Sequence, residues 1–316
     1  MEIKYSIQAV EERMQSQLDG HSSFLVQAMR KFISQGGERI RPAITLFTGE
    51  ILESDPRKTV DLAAAIEMLH AATQVHAAIV DGLSLNASEP ALDKHWPPEA
   101  TVLAGDFVFA MAAKLAADTY STDVMEMFAK TLATIVNGGV TEMFSNGSRF
   151  DVDSYYQRIY AKTASLFELA AAAATKLANA ECDIVQAAGR FGSAFGMAFQ
   201  IMMDVNEISD GFGDKISFVD ANLRQGVISL PFLHYLDLNP DDPDLVIIQN
   251  KNGYQNGDLL RLIQSVRQSE ALSLTQSEAY RFVHQALDAL DAFPDSPRRN
   301  DLEALVQSIF STSQTP

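Results

Sequence analysis

The sequence predicts an all-α fold, and three observations carry that prediction. Apolar residues recur at spacings of three and four along the chain, while period-two alternation is scarce. No proline occurs between Pro98 and Pro231, an interval rich in Ala, Met, Leu and Phe. Several segments there are apolar on most faces, the mark of helices buried centrally instead of lying on a surface.

Taken in order, the start MEIKYSIQAVEERMQSQ is charged and amphipathic. GGERIRP at 36–42 reads as a helix C-cap and a turn, with Pro42 opening the next helix. LAAAIEMLHAATQVHAAIV, LAGDFVFAMAAKLAA, MFAKTLATIVNGGV, LFELAAAAATKLA and IVQAAGRFGSAFGMAFQIMM each read as helices. Within the second of them, Gly105–Asp106 reads as an N-terminal cap. Residues 83–99 form a polar, proline-bearing loop. Residues 238–258 carry turn chemistry at both ends and lead into smaller C-terminal helices. The closing STSQTP reads as a frayed end. The expectation is one domain over 1–316, with roughly ten or more helices around a central group.

The composition limits the partners. Of 316 residues 47% are hydrophobic, enough for a sizeable core, and 41 acids against 24 bases leave a net charge of −17. That balance argues against nucleic acid or an anionic membrane surface as the main partner. An anionic ligand would need a local cluster of bases or a bound metal. Cys182 is the only cysteine, which excludes a disulfide framework and a cysteine metal site within one chain. No apolar run reaches the ~18 residues of a spanning helix, so no membrane span is expected and the expected location is the cytoplasm.

Four stretches hold residues able to do chemistry. Arg39 and Arg41, at a glycine-made bend, could present guanidinium forks to a phosphate. His70, His76 and Asp81 follow on one helical stretch, and the separation of six between the histidines is poor for joint metal binding. Lys162 beside an apolar run could snorkel or meet an anion. Asp204, Glu207 and Asp210 lie three apart on one stripe of a helix that follows a thoroughly apolar run. Carboxylates so placed are costly unless paired or metal-bound, although a solvated helix end would explain them as well.

The order and spacing of GGxRxRP, IExxHxxxxxH, GD[FY], KTAxLF, FQIxxD and LxxGxxxLP resemble the trans-isoprenyl diphosphate synthases, the polyprenyl synthetase family. The resemblance runs over about residues 20–240. It implies an all-α isoprenoid synthase fold, usually dimeric, with the reaction cavity inside a helical bundle. Active members condense an allylic diphosphate with isopentenyl diphosphate. By the resemblance, Mg²⁺ held by two DDxxD motifs on facing helices stabilises the diphosphate leaving group. The residues that match the family's substrate-binding positions are Arg39, Arg41, His70, Lys162, Thr163 and Gln200. The remaining metal positions are Asp81, Asp204 and Glu207. Ala72 and Thr73 stand where the family sets chain length along its tunnel. Both are small, which would leave either a deep apolar tunnel or helices packed directly together.

The departures from the pattern matter as much. HAAIVD stands for HDDxxD, so Ala77 and Ala78 replace two aspartates, and MDVNE stands for DDxxD with Met203 in the first place. Glu38 reverses the charge of a lysine, Asn86 and Ala87 replace two arginines, and Val227 replaces a lysine. FGDKISFVDANL alters the flexible GKxxGxDL segment. With each charge-assisted contact to phosphate worth about 1.5–3 kcal/mol, these losses predict weak or absent standard activity. Three readings follow. The chain is an atypical prenyltransferase using Asp81, Asp204 and Glu207; a silent paralogue that dimerises with an active homologue; or a protein that binds isoprenoid chains. A homodimer is the other expected assembly, because residues 123–145 form a helix apolar enough to need a neighbour. A class I terpene cyclase fits less well, since MDVNEISD lacks the NDxxSxxxE spacing.

Overall fold

The computed structural model describes residues 3–20, 24–34, 37–80, 97–144, 151–209, 219–220, 222–223, 226–245 and 256–309. Among these residues there is no strand, and the α-helices number thirteen. They are α1 (Ile3–Ser16), α2 (Phe24–Ser34), α3 (Ile40–Ile51), α4 (Pro56–Val80), α5 (Pro98–Asp118), α6 (Thr122–Phe144), α7 (Val152–Ile159), α8 (Ser165–Leu177) and α9 (Cys182–Ser209), then α10 (Leu230–Leu238), α11 (Asn256–Gln268), α12 (Ala271–Leu290) and α13 (Pro297–Ser308). A π-helical turn, Tyr160–Ala164, joins α7 to α8. Contacts cluster into two compact units: Met1–Leu132 with Leu166–Gly192 and Ala289–Glu303, and Ala133–Ser165 with Ser193–Asp288 and Ala304–Pro316.

In the first unit α4 is the central helix, packed by α1, α3 and α5. Asp55 accepts from the Arg57 amide at 2.9 Å and Pro56 takes the first helical position, so both usual start signals are present. The helix buries Leu62, Ala63, Ala64, Ala65, Ile66, Met68 and Leu69 completely, which explains a sequence without a polar face. Arg13 of α1 ties the helices together, pairing with Asp61 of α4 and, at 2.8 Å, with Asp118 of α5.

Gly105–Asp106 corrects the sequence reading. The pair lies inside α5, not at its start, which is at Pro98. An added Cβ on Gly105 would stand 2.2 Å from Nε2 of His76, so the glycine lets α4 and α5 close on each other. The same helix corrects the reading of apolar runs. Pro98–Asp118 is long and apolar enough to cross a membrane, because its alanines raise the mean hydropathy to 1.5. In the fold it packs along α4 and buries Ala104, Val108, Ala112, Leu115 and Ala116.

In the second unit α10 packs against α7 and α11. The inner side of α9 contributes Phe195, Ile201, Met202, Val205 and Ile208 to the core. α6, whose residues to Leu132 belong to the first unit and the rest to the second, behaves differently. Its only buried residues are Val124 and Phe128, and Val136, Val140, Met143 and Phe144 stand 53, 46, 58 and 79% exposed. Their spacing puts them on one stripe of the helix. The 83–99 loop, the altered 212–223 segment, the centre of the 238–258 stretch and the STSQTP end fall largely or wholly outside the described residues.

Candidate functional site

The first cluster grows from the turn before α3. Arg39 sits at the N-cap with φ 52°, the left-handed region, and makes no capping bond of its own there. Each nitrogen of its guanidinium is engaged: Nε donates to Glu11 at 3.2 Å, Nη1 to Glu67 at 2.8 Å and Nη2 to the Ile33 carbonyl at 2.8 Å. The side chains of Arg39 and Glu67 are 11 and 7% exposed, which makes this a buried ion pair. Glu38, the charge reversal, is exposed beside it.

Arg41, two residues on, has no such carboxylate bond. Its guanidinium carbon lies 4.4 Å over the Phe167 ring, and its Nε is shut off from water without a hydrogen-bond partner. Burial lowers its pKa, against a smaller upward pull from Glu67. Nδ1 of His70 is likewise buried and unpartnered. Burial, then the charges of Arg41 and Arg39, hold the His70 pKa well below 6.5, so the imidazole is neutral. A neutral imidazole and a permanent cation with spare donors can take an anion's oxygens together.

This arrangement has a pH consequence. The unfolded chain protonates His70 below about pH 6.5 while the folded chain does not. Stability carried by this group is therefore present at neutral pH and is lost as pH falls below that value. The slope approaches about 1.4 kcal/mol per pH unit. Urea unfolding at pH 7.5 and 5.5 should show that loss in the native protein, and a smaller one in His70→Asn. Equal losses would show that another group carries the effect.

The remaining residues expected on this side are placed as follows. Ala72 is buried, and Thr73 donates its hydroxyl to the His70 carbonyl at 2.7 Å. Ala77 is half-buried near the end of α4, and Asp81 lies outside the described residues. His76 approaches Asp106 at 3.3 Å and the Val102 carbonyl at 3.4 Å.

The second cluster joins α7, the π turn, α6 and α9. Lys162 and Thr163 both lie in the π turn, a geometry that is rare and often found at functional sites. Thr163 donates to Gln200 Oε1 at 2.9 Å, Gln200 donates to Asp204 Oδ1 at 2.9 Å, and the Tyr155 hydroxyl donates to Asp204 Oδ2 at 2.8 Å. Burial raises the Asp204 pKa; Gln200, Tyr155, Arg158 and the Leu230 amide oppose that shift. Burial and the Asp204 carboxylate in turn push the Tyr155 phenol well above 10. Lys162 pairs with Glu142 of α6 at 2.6 Å. Glu207 is half-buried further along α9, and Met203 is half-exposed.

The structure thus joins Thr163, Gln200 and Asp204 in one chain of hydrogen bonds. It also gives leading parts to Glu67, Tyr155, Glu142 and Arg158, which the sequence did not single out. The only local signal for them was Arg158 standing four residues before Lys162. Mg²⁺ calls for several carboxylate or water oxygens in near-octahedral array. Among the described residues no three His, Cys, Asp or Glu converge, and Asp204 spends both oxygens on Tyr155 and Gln200. The described donor set does not fit that ion.

The nonaprenyl diphosphate synthase of Mycobacterium tuberculosis is 26% identical over 312 residues, covering 98% of this chain and 93% of its own. Heptaprenyl diphosphate synthase component 2 of Geobacillus stearothermophilus is 25% identical, covering 94% of this chain and 92% of its own. Among solved structures, the Caulobacter crescentus polyprenyl synthase complexed with calcium and isoprenyl diphosphate superposes with a TM-score of 0.86 at 26% identity. It covers 99% of this chain and 96% of its own. The family model for polyprenyl synthetase matches residues 22–266, and with the all-α isoprenoid synthase fold around those motifs the chain belongs to the polyprenyl synthetase family.

Proposed function

We propose that this protein is a polyprenyl synthetase-family subunit that binds isoprenoid diphosphates or chains but condenses allylic with isopentenyl diphosphate weakly or not at all. One observation carries the reading: charged groups at the family's substrate and metal positions are already satisfied from within the chain. Arg39 is held by Glu67 and Glu11, Lys162 by Glu142, and Asp204 by Tyr155 and Gln200. Arg41 and His70 keep unpartnered buried polar atoms and remain as the anion-binding pair. Ala77, Ala78 and Met203 stand at three of the aspartate positions, so magnesium binding is weakened or lost.

A second reading, assembly with a homologous active chain or with a second copy, rests on the uncovered stripe Val136, Val140, Met143 and Phe144. A relative described as one component of a heptaprenyl diphosphate synthase supports it.

One experiment tests both. Incorporation of radiolabelled isopentenyl diphosphate is measured with Mg²⁺ and allylic diphosphate, for the purified protein alone and mixed with an active homologue. Light scattering is recorded on the same samples. The expected result is little or no turnover alone and a mass above that of the monomer. Turnover at the rate of active homologues would overturn the first reading, and a monomer near 34.6 kDa in both samples the second.

A further inference from the structure

Lys162 is the family's substrate-facing lysine, yet its ammonium touches an acid. Its Nζ stands 2.6 Å from Oε2 of Glu142, while Arg158 Nε lies 4.0 Å from Oε1 of the same carboxylate. Arg158 and Lys162 are four residues apart, at the end of α7 and in the π turn, so two cations converge on one side of the chain. The acid sits deeper than the lysine it binds: the Glu142 side chain is 18% exposed and that of Lys162 is 42%. Arg158 is anchored from behind, donating to the Ile228 carbonyl at 2.6 Å and covering the Tyr155 ring at 5.3 Å.

From this geometry we infer that Glu142 is a built-in competitor that keeps diphosphate off the Arg158–Lys162 site, and so decides whether the site accepts an anion. The inference rests on the reading above that Lys162 faces substrate. A carboxylate and a phosphate oxygen offer the same acceptor to an ammonium or guanidinium group. A carboxylate tethered to the same chain is present at an effective concentration that a free ligand rarely matches. With the Glu142 carboxylate replaced, the Lys162 ammonium would face an anion without the acid that now holds it, and Arg158 would stand four residues away. A surface ion pair of ordinary kind would behave otherwise, since breaking it would leave anion binding unchanged.

The test uses inorganic pyrophosphate, without turnover, in isothermal titration of the full chain. Glu142→Gln and Glu142→Ala should each bind pyrophosphate at least tenfold more tightly than the native protein, with affinity falling as salt rises. Adding Lys162→Gln to either should return binding to the native level. Circular dichroism and melting curves establish that each variant is folded. Folded Glu142 variants that bind no tighter would overturn the inference, as would a gain that survives Lys162→Gln. Loss of fold in both Glu142 variants would overturn it too, because the carboxylate would then be a structural member. Rapid condensation by the native protein would count against the proposed function and leave this measurement intact.

Discussion

Glu67→Ala is expected to lower the melting temperature by about 6–12 °C, from a loss near 3 kcal/mol. The substitution strands Arg39, whose side chain is only 11% exposed, with a more exposed carboxylate, Glu11, as its remaining ion-pair partner. It also takes away the negative charge that pulls against the burial of Arg41. Removing one partner of a buried pair costs more than the pair contributes, because the surviving charge stays largely out of water with only the more exposed Glu11 to balance it. The companion Arg39→Met in the same chain should therefore recover much of the loss. A drop below about 1 kcal/mol for Glu67→Ala would mean that water reaches Arg39 and that the pair is a surface one.

The second large effect is expected at Gly192 on α9. A Cβ there would lie 2.3 Å from the Phe167 carbonyl oxygen, 2.7 Å from its carbon and 2.8 Å from the Glu168 Cα. All three are backbone atoms of α8 and its first turn, so no side chain can swing aside. Gly192→Ala should cost about 2–3 kcal/mol even after the helix propensity that alanine gains. Gly189, one turn earlier on the same helix, is the internal control, since its added Cβ would meet nothing closer than 3.9 Å. Gly189→Ala should be neutral or stabilising by up to about 1 kcal/mol. Chemical denaturation of the two variants in parallel decides the matter, and equal stabilities would show that α8 and α9 can part at no cost.

The sequence carried the helices well because helical periodicity is local: the segments read at 62–80, 103–117, 127–140, 166–178 and 184–203 lie within α4, α5, α6, α8 and α9, apart from one residue beyond the end of α8. Gly105 was misread because a glycine that caps a helix and one that admits a neighbouring ring look alike until His76 is in place. The motif residues were legible by type and order. Their partners were not, because those partners come from far along the chain. Glu67 reaches Arg39 across 28 residues and Tyr155 reaches Asp204 across 49. A carboxylate that holds a tyrosine and a glutamine has the same spacing in sequence as one that waits for a metal. Burial separates the two cases, and burial is a property of the fold.

The uncovered stripe on α6 has a consequence for how much of this protein a cell can keep. Exposed apolar surface of that kind is what chaperones and proteases recognise in chains that have lost their structure. A folded copy shows Val140, Met143 and Phe144 to water, and would be open to the same recognition. Copies whose stripe is covered would be spared, and surplus copies would be cleared. The abundance of the protein would then follow the supply of whatever covers α6, with stoichiometry enforced by removal after synthesis and not by matched expression.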